Sequence, residues 1–193
     1  DMGAEKRMAD RSGTVRVYAA QTAPVIEELE KNGQCFCRER YIRKKYGECA
    51  DGFLVAYRYL AEKGEALVPK PAGAELPYWV SPDPAGLPRS ETFLSLDVPR
   101  AELLLFPRAW WTRILQLRYL GETEEENTRF ERELKERGLT GYEIMTSRFY
   151  PEERERLLAS WEKLLDPKAI EGLAPAQLQG AVWTIRREWV AEE

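Results

Sequence analysis

Histidine is absent from all 193 residues. That removes the Ser-His-Asp and Cys-His nucleophile–base pairs, the imidazole general base and the histidine-ligated zinc centres. Cysteine is scarce too, with three residues, Cys35, Cys37 and Cys49. A Cys-x-Cys pair and a lone thiol fall short of a four-ligand zinc site unless an acidic or second-subunit donor joins them, so no metal is expected. The thiols read as reduced and partly buried, as in a cytoplasmic protein. No apolar run approaches the ~20 residues that span a bilayer, and the first residues lack the charged-then-apolar order of a signal peptide. The expectation is therefore a cytoplasmic protein without a membrane partner. A surplus of one charge is missing as well: 29 Lys and Arg face 33 Asp and Glu, for a net charge of −4. Such a balance gives no general attraction to phosphate backbones or anionic lipid. Any enzyme built from this chain works with carboxylates, Gln, Tyr, Arg, Lys or Ser.

What is present reads as one domain. With 44% hydrophobic and 32% charged residues, the length suits a single core. Residues 1–13 are polar and aperiodic and read as a flexible tail; residues 14–193 read as a single α+β domain, with a small mixed or antiparallel sheet and several flanking helices. The stretch TVRVYAAQT alternates Val15 and Val17 against Arg16 and Tyr18, the period-two pattern of a strand with one buried face. A helix follows, with Thr22 as N-cap, Pro24 in its first turn and Asn32-Gly33 at its end. Asp51 is placed as the cap of a second helix carrying Phe53, Leu54, Tyr57 and Leu60, closed by Gly64. YWVS is a short strand. TFLSLDV alternates well enough to be a central strand through Phe93, Leu94, Leu96 and Val98, and Pro99 stops it. Pro107 opens a helix whose adjacent Trp110 and Trp111 cannot face one way, so one is core and the other a ledge. Thr123 with Glu126 forms a capping box and Gly138 ends that helix. Pro151 begins another, with Leu157, Leu158, Trp161, Leu164 and Leu165 as its stripe, and QGAVWTI returns to strand.

One local feature stands out against the balanced charge. In RERYIRKKYG, the residues Arg40, Arg43, Lys44 and Lys45 interleave with Tyr41, a pattern that pairs phosphates and stacks bases. This patch is the candidate surface for nucleic acid or another partner.

The ordered set VRVYAAQT, LEKNG, YIRKKYGE, LPYW, LSLDVP, LLLF, WWTRILQLRYL, FYPEERERLLASWEKLL and QGAVWTI resembles the bacterial family catalogued as domain of unknown function 3841, over roughly residues 14–190. The family label carries no activity. More distantly, the layout is similar to ADP-ribosyltransferase domains, which grip NAD in a cleft between two small sheets. That resemblance implies a first strand bearing an Arg, a middle strand with an aromatic and a Ser, and a last strand with a carboxylate. Mapped onto this chain, Arg16, Tyr78 and Gln179 would take the catalytic positions, and Tyr18, Gln21, Trp79 and Ser81 would hold NAD. An aromatic face and amide hydrogen bonds suit a planar nicotinamide, an Arg suits a diphosphate, and a carboxylate steadies the oxocarbenium-like charge that forms when nicotinamide leaves. The last strand departs from the pattern: it offers Gln179, Trp183 and Thr184 but no acid, so either an acid from another segment, Glu143 or Asp97 being nearest, serves instead or the chain binds without turning over.

The same residues have plain structural roles. Arg16 alternates with Val15 and Val17 as a solvent-facing residue would, Tyr78 and Trp79 must face opposite ways, Trp183 suits a packed sheet, and Gln21 and Thr22 suit a helix start. Two functions follow. One is an NAD-using, ADP-ribosyltransferase-like enzyme acting on an unknown macromolecule. The other is a non-catalytic binding or regulatory module for protein or nucleic acid.

Overall fold

The computed structural model describes residues 13–88 and 92–192. The expected tail therefore lies, but for Gly13, outside the described residues. The alternation in the opening stretch produces β1 (Thr14–Gln21), with Val15, Val17 and Ala19 buried and Arg16 exposed between them. It runs into α1 (Ala23–Asn32), where Pro24 occupies the first turn. Thr22 takes the extended cap conformation, but its side chain caps no backbone N–H. Gly33 ends the helix in the left-handed region at φ 75°, and its N–H reaches the Leu29 carbonyl at 2.9 Å. A residue with a Cβ would resist that conformation.

Gln34–Phe36 forms β2, a strand too short for its periodicity to register in the sequence. The basic stretch is a helix, α2 (Glu39–Tyr46), and a 3-10 turn at Gly47–Cys49 leads into the long α3 (Ala50–Glu65). Asp51 does not cap α3: it sits inside the first turn and pairs with Arg43 instead. Then come β3 (Tyr78–Val80), β4 (Thr92–Pro99), β5 (Leu104–Pro107) and α4 (Arg108–Leu115). Thr123 accepts a hydrogen bond from the Glu126 N–H at the start of α5 (Glu124–Glu136), as its capping signature requires. α6 (Gly141–Thr146) and α7 (Pro151–Trp161) precede the last strands, β6 (Leu178–Val182) and β7 (Thr184–Arg186). The terminal apolar run thus breaks at Trp183 and serves two different sheets.

The fold is α+β with small antiparallel sheets in the orders β1–β4, β2–β7 and β3–β6–β5. A Tyr18–Ser81 bridge joins β1 to the end of β3, and a Leu96–Val190 bridge lies on the far edge of β4. β4 is therefore not a central strand of a broad sheet: beyond β1 its described ladder partners reduce to that single bridge.

α3 divides two cores. Leu54 and Tyr57 pack with Val17, Leu29, Cys35, Tyr78, Val80, Leu96 and Ile185. Ala56, Tyr59 and Leu60 pack with Phe106, Trp111, Ile114, Trp161 and Trp183. A satellite cluster of Phe130, Leu134, Ile144 and Leu157 holds α5, α6 and α7 together. Two of the three most enclosed indoles find acceptors in loop carbonyls, Trp161 Nε1 donating to Arg118 O at 2.8 Å and Trp183 Nε1 to Val68 O at 2.7 Å, while Trp111 Nε1 has no partner among the described residues. Each loses about 3–5 kcal/mol if cut to alanine. Of the paired tryptophans, Trp111 is core and Trp110 lies half-buried beneath the Lys163 ammonium.

Candidate functional site

The two outer halves of the strand system meet at one narrow hydrogen-bonded pair: Tyr18 N donates to Ser81 O and Ser81 N to Tyr18 O, both at 2.8 Å. Residues directly opposite in an antiparallel pair project to the same face. Tyr18 and Ser81 therefore share the face that also carries Arg16 and, across β4, Asp97, Ser95 and Phe93. Phe93 is 48% exposed and its ring lies 5.6 Å from that of Tyr18 at 31°. The expected strand took Phe93 and Leu94 together as part of its alternation; the register against Ala20 turns Phe93 outward and Leu94 inward.

Ser81 opens the turn Ser81-Pro82-Asp83-Pro84-Ala85-Gly86. Its hydroxyl donates to Asp83 O at 2.6 Å and accepts from Asp83 N at 3.2 Å, while the Asp83 carboxylate caps the 3-10 turn through Ala85 N at 2.9 Å. The same Oγ accepts a third bond, from Arg108 Nη2 at 2.8 Å. One donor and two acceptor positions are then filled, so Ser81 is a fixed seat for the arginine and has nothing left for a ligand. Arg108 lies over Gly86, where any Cβ would overlap its guanidinium. It heads α4, the end of a helix whose dipole disfavours cations, and among the described residues it has neither a carboxylate partner nor, at its buried Nε, any hydrogen-bond partner. Arg16, Arg38, Arg43, Arg113, Arg118, Arg137 and Arg156 by contrast all hold carboxylates.

Of the sequence-derived candidates, this seam brings together Tyr18, Ser81 and Gln179. Gln179 follows the register of β6 against β3 and donates through Nε2 to Val80 O at 2.9 Å. Gln21 ends β1, half-buried. Arg16 shares the face but grips Asp97 with both Nε, at 2.6 Å, and Nη2, at 3.1 Å, which also holds its guanidinium firmly charged. Tyr78 and Trp79 lie elsewhere. Tyr78 points into the first core beside the Cys35 thiol, and burial raises its phenol well above the ordinary range. Trp79 points the other way, stacked on Tyr57 at 5.0 Å and edge-on to Trp111 at 5.8 Å, with its buried Nε1 unpartnered among the described residues. Glu143 sits at the start of α6, against Thr140. The residues the sequence reading missed are Arg108, Gly86 and Phe93. A basic residue in the first turn of a helix, set against the dipole, was the one local signal for Arg108.

The basic helix α2 forms the second candidate surface. Arg38, Glu39, Arg40, Arg43 and Glu75 line an open hollow of about 630 Å³. Its charge is largely cancelled: Arg43 is bound to Glu39 at 3.0 Å and Asp51 at 3.1 Å, and Arg38 to Glu75 at 3.6 Å. The aromatics are engaged too. Tyr41 lies under the Arg40 guanidinium at 5.1 Å, and Tyr46 stacks on Phe53 at 4.1 Å with the Lys45 ammonium 5.6 Å from its ring centre. Arg40, Lys44 and Lys45 are exposed.

The cysteines are free, Cys35 and Cys37 buried and Cys49 exposed. Burial pushes the Cys35 thiol up to about 11 and that of Cys37 to about 12. Among the described residues no three His, Cys, Asp or Glu side chains gather in a metal-holding group, and no helix is long and apolar enough to cross a membrane.

Taken with the α+β fold, the sequence defines the family. The model for the domain of unknown function 3841 matches residues 16–191, and the chain belongs to that family. No curated protein and no solved structure matches it.

Proposed function

We propose that the Tyr18–Ser81 seam binds a dinucleotide of the NAD class and that the protein is an ADP-ribosyltransferase-like enzyme acting on a macromolecule. The observation that carries this reading is Arg108: a guanidinium without a carboxylate partner among the described residues, fixed over Gly86 by Ser81, whose backbone pairs with Tyr18 of the Tyr18–Phe93 ring pair. Tyr18 lies directly opposite Ser81, one strand spacing of roughly 5 Å away, and Phe93 stands one strand and one two-residue step farther, roughly 12 Å from Ser81. That separation suits a planar base at one end and its diphosphate at the other. Arg108 then pairs the phosphates, Tyr18 and Phe93 stack the ring, and Gln21 and Gln179 border the mouth. Ser81 acts through Arg108. Tyr78 belongs to the first core and Trp79 packs against both cores, and neither contacts the ligand in this reading. The three free thiols fit the reducing cytoplasm.

Isothermal titration of the full chain with NAD tests the proposal. Binding in the micromolar to sub-millimolar range, lost in Arg108→Ala, supports it; no heat at about 1 mM NAD overturns it. The alternative is a nucleic-acid-binding or regulatory module using Arg40, Lys44 and Lys45, which are exposed. It predicts salt-sensitive binding to single-stranded RNA that disappears in the Lys44→Glu/Lys45→Glu variant.

A further inference from the structure

The link between α4 and α5 holds a backbone conformation that the strand seam does not explain. Leu117 lies at φ 55°, and among the described residues it is the only non-glycine in the left-handed region, which a side chain with a Cβ resists and which tends to persist where a surface has a function. Two features hold it there. Leu117 N donates to Ile114 O at 2.9 Å, and Gly141, where any Cβ would collide with the Leu117 carbonyl, lets the start of α6 close on it. The chain therefore leaves α4 in a sharp turn and sets Leu117 and Tyr119 opposite α5. Together with Phe130, Leu134 and Leu139 they wall a hollow of about 350 Å³, within the size range of small-ligand sites. Tyr119 stacks on Phe130 at 4.4 Å, and Phe130 and Leu134 belong to the satellite cluster, so the walls are fixed by packing.

The rim of this hollow carries positive charge that is not cancelled. Arg113 Nη2 at 2.9 Å, Arg118 Nε at 2.9 Å and Arg118 Nη2 at 2.7 Å all reach one oxygen, Oε1 of Glu131. Glu131 is the sole acid among the described residues lining the hollow, and two guanidinium groups share it. Lys135, also at the rim, stands four residues further along α5, the spacing and order of a helix ion pair. The arginines have taken that carboxylate, and among the described residues the Lys135 ammonium has no partner. Arg118 Nη1 has only the Gln116 amide oxygen, at 3.5 Å, beyond the usual length of a hydrogen bond. One donor group from each of two cations thus stands open beside apolar walls. We propose that the hollow binds an aliphatic monocarboxylate of medium chain length. The chain lies on Leu117, Leu134 and Leu139, where burying its methylenes supplies affinity. The carboxylate gives one oxygen to Arg118 and one to Lys135, and its single charge meets the surplus on the rim. None of the seam residues lines this hollow, so binding there is independent of the NAD reading.

The test titrates sodium octanoate into the full chain, with calorimetry for affinity and methyl NMR for location. A Kd of roughly 0.1–1 mM is expected, with the methyl shifts centred on Leu117, Leu134 and Leu139. Octylammonium, the same chain with the opposite charge, should shift none of them, and octanol should bind at least about tenfold more weakly. Lys135 is exposed, so replacing it does not disturb the packing. Lys135→Glu should weaken octanoate at least about tenfold with the unliganded methyl spectrum preserved, and Lys135→Arg should stay within about threefold of the wild type. No shift of the Leu117 or Leu139 methyls at about 10 mM octanoate overturns the proposal. Equal binding of octanol, or an unchanged Kd in Lys135→Glu, overturns it as well, since either result removes charge from the recognition.

Discussion

The strand seam and the basic helix α2 are the two surfaces the sequence singled out, and they are built in opposite ways. On α2 the cations are consecutive in the chain and easily seen, yet Glu39, Asp51 and Glu75 neutralise Arg43 and Arg38 and the neighbouring rings are packed. At the seam a single arginine comes from a helix start 27 residues away from its serine seat, and among the described residues no acid answers it. The lesson is electrostatic. A run of charge on a helix is solvated and pairs locally, so its strength is already taken up; a lone cation seated by a neutral hydroxyl keeps its attraction for an anion.

The sharpest way to break this contrast is Arg108→Ala. Loss of a charge-assisted bond worth about 1.5–3 kcal/mol should weaken NAD binding about 10- to 100-fold by titration, with little loss of stability, since Ser81 Oγ keeps its bonds to Asp83. Equal affinity would remove Arg108 from the site. Gly86→Ala forces the guanidinium aside without touching its charge, and should weaken NAD roughly fivefold, about 1 kcal/mol. An unchanged Kd in that variant would mean that the seat does not matter. For the other surface, Lys44→Glu/Lys45→Glu should leave NAD binding unaltered. RNA binding by the wild type should be feeble, with a log–log salt slope no steeper than about −2 because few cations are unpaired. A steeper slope, abolished in the double variant, would reverse the ranking of the two surfaces.

The smallest expected effect concerns the thiols behind the seam. With Cys35 raised to about 11 and Cys37 to about 12, a thiol reagent at pH 8 should label Cys49 and reach the buried pair only on unfolding. Because the folded values lie above the unfolded ones, the native state holds these protons longer. Their contribution is complete below the ordinary thiol range and is lost as pH rises from about 9 through about 12. Alkaline melting curves should therefore fall across that window, and less steeply in Cys37→Ala.

Much of the fold was legible because its signals are local. Val15 and Val17 alternate, Thr123 and Glu126 cap, Pro151 starts a helix, and one of two adjacent tryptophans had to turn away; each is a matter of neighbouring dihedrals and period. β2 escaped notice because three residues carry no usable period, and the outward face of Phe93 could not be read because Phe93 and Leu94 are both apolar and only the pairing register decides which one turns inward. At the site, Tyr18, Ser81 and Gln179 were readable as chemistry but not as neighbours. Tyr78 and Trp79 were readable as opposed faces of one strand, but not as a member of the first core and a ring packed against both cores.

The sequence alone determined the class of fold, the element starts and stops, and what the chemistry excludes: without histidine, every imidazole mechanism is closed, whatever the arrangement in space. Only the tertiary structure decided which charges remain available. Ion pairing and hydrogen bonding are short-ranged and depend on which strands pair, so the capture of Arg43 by Asp51, the seating of Arg108 on Ser81 and the pairing of Asp97 with Arg16 arise from register and packing between distant segments, which local composition does not encode.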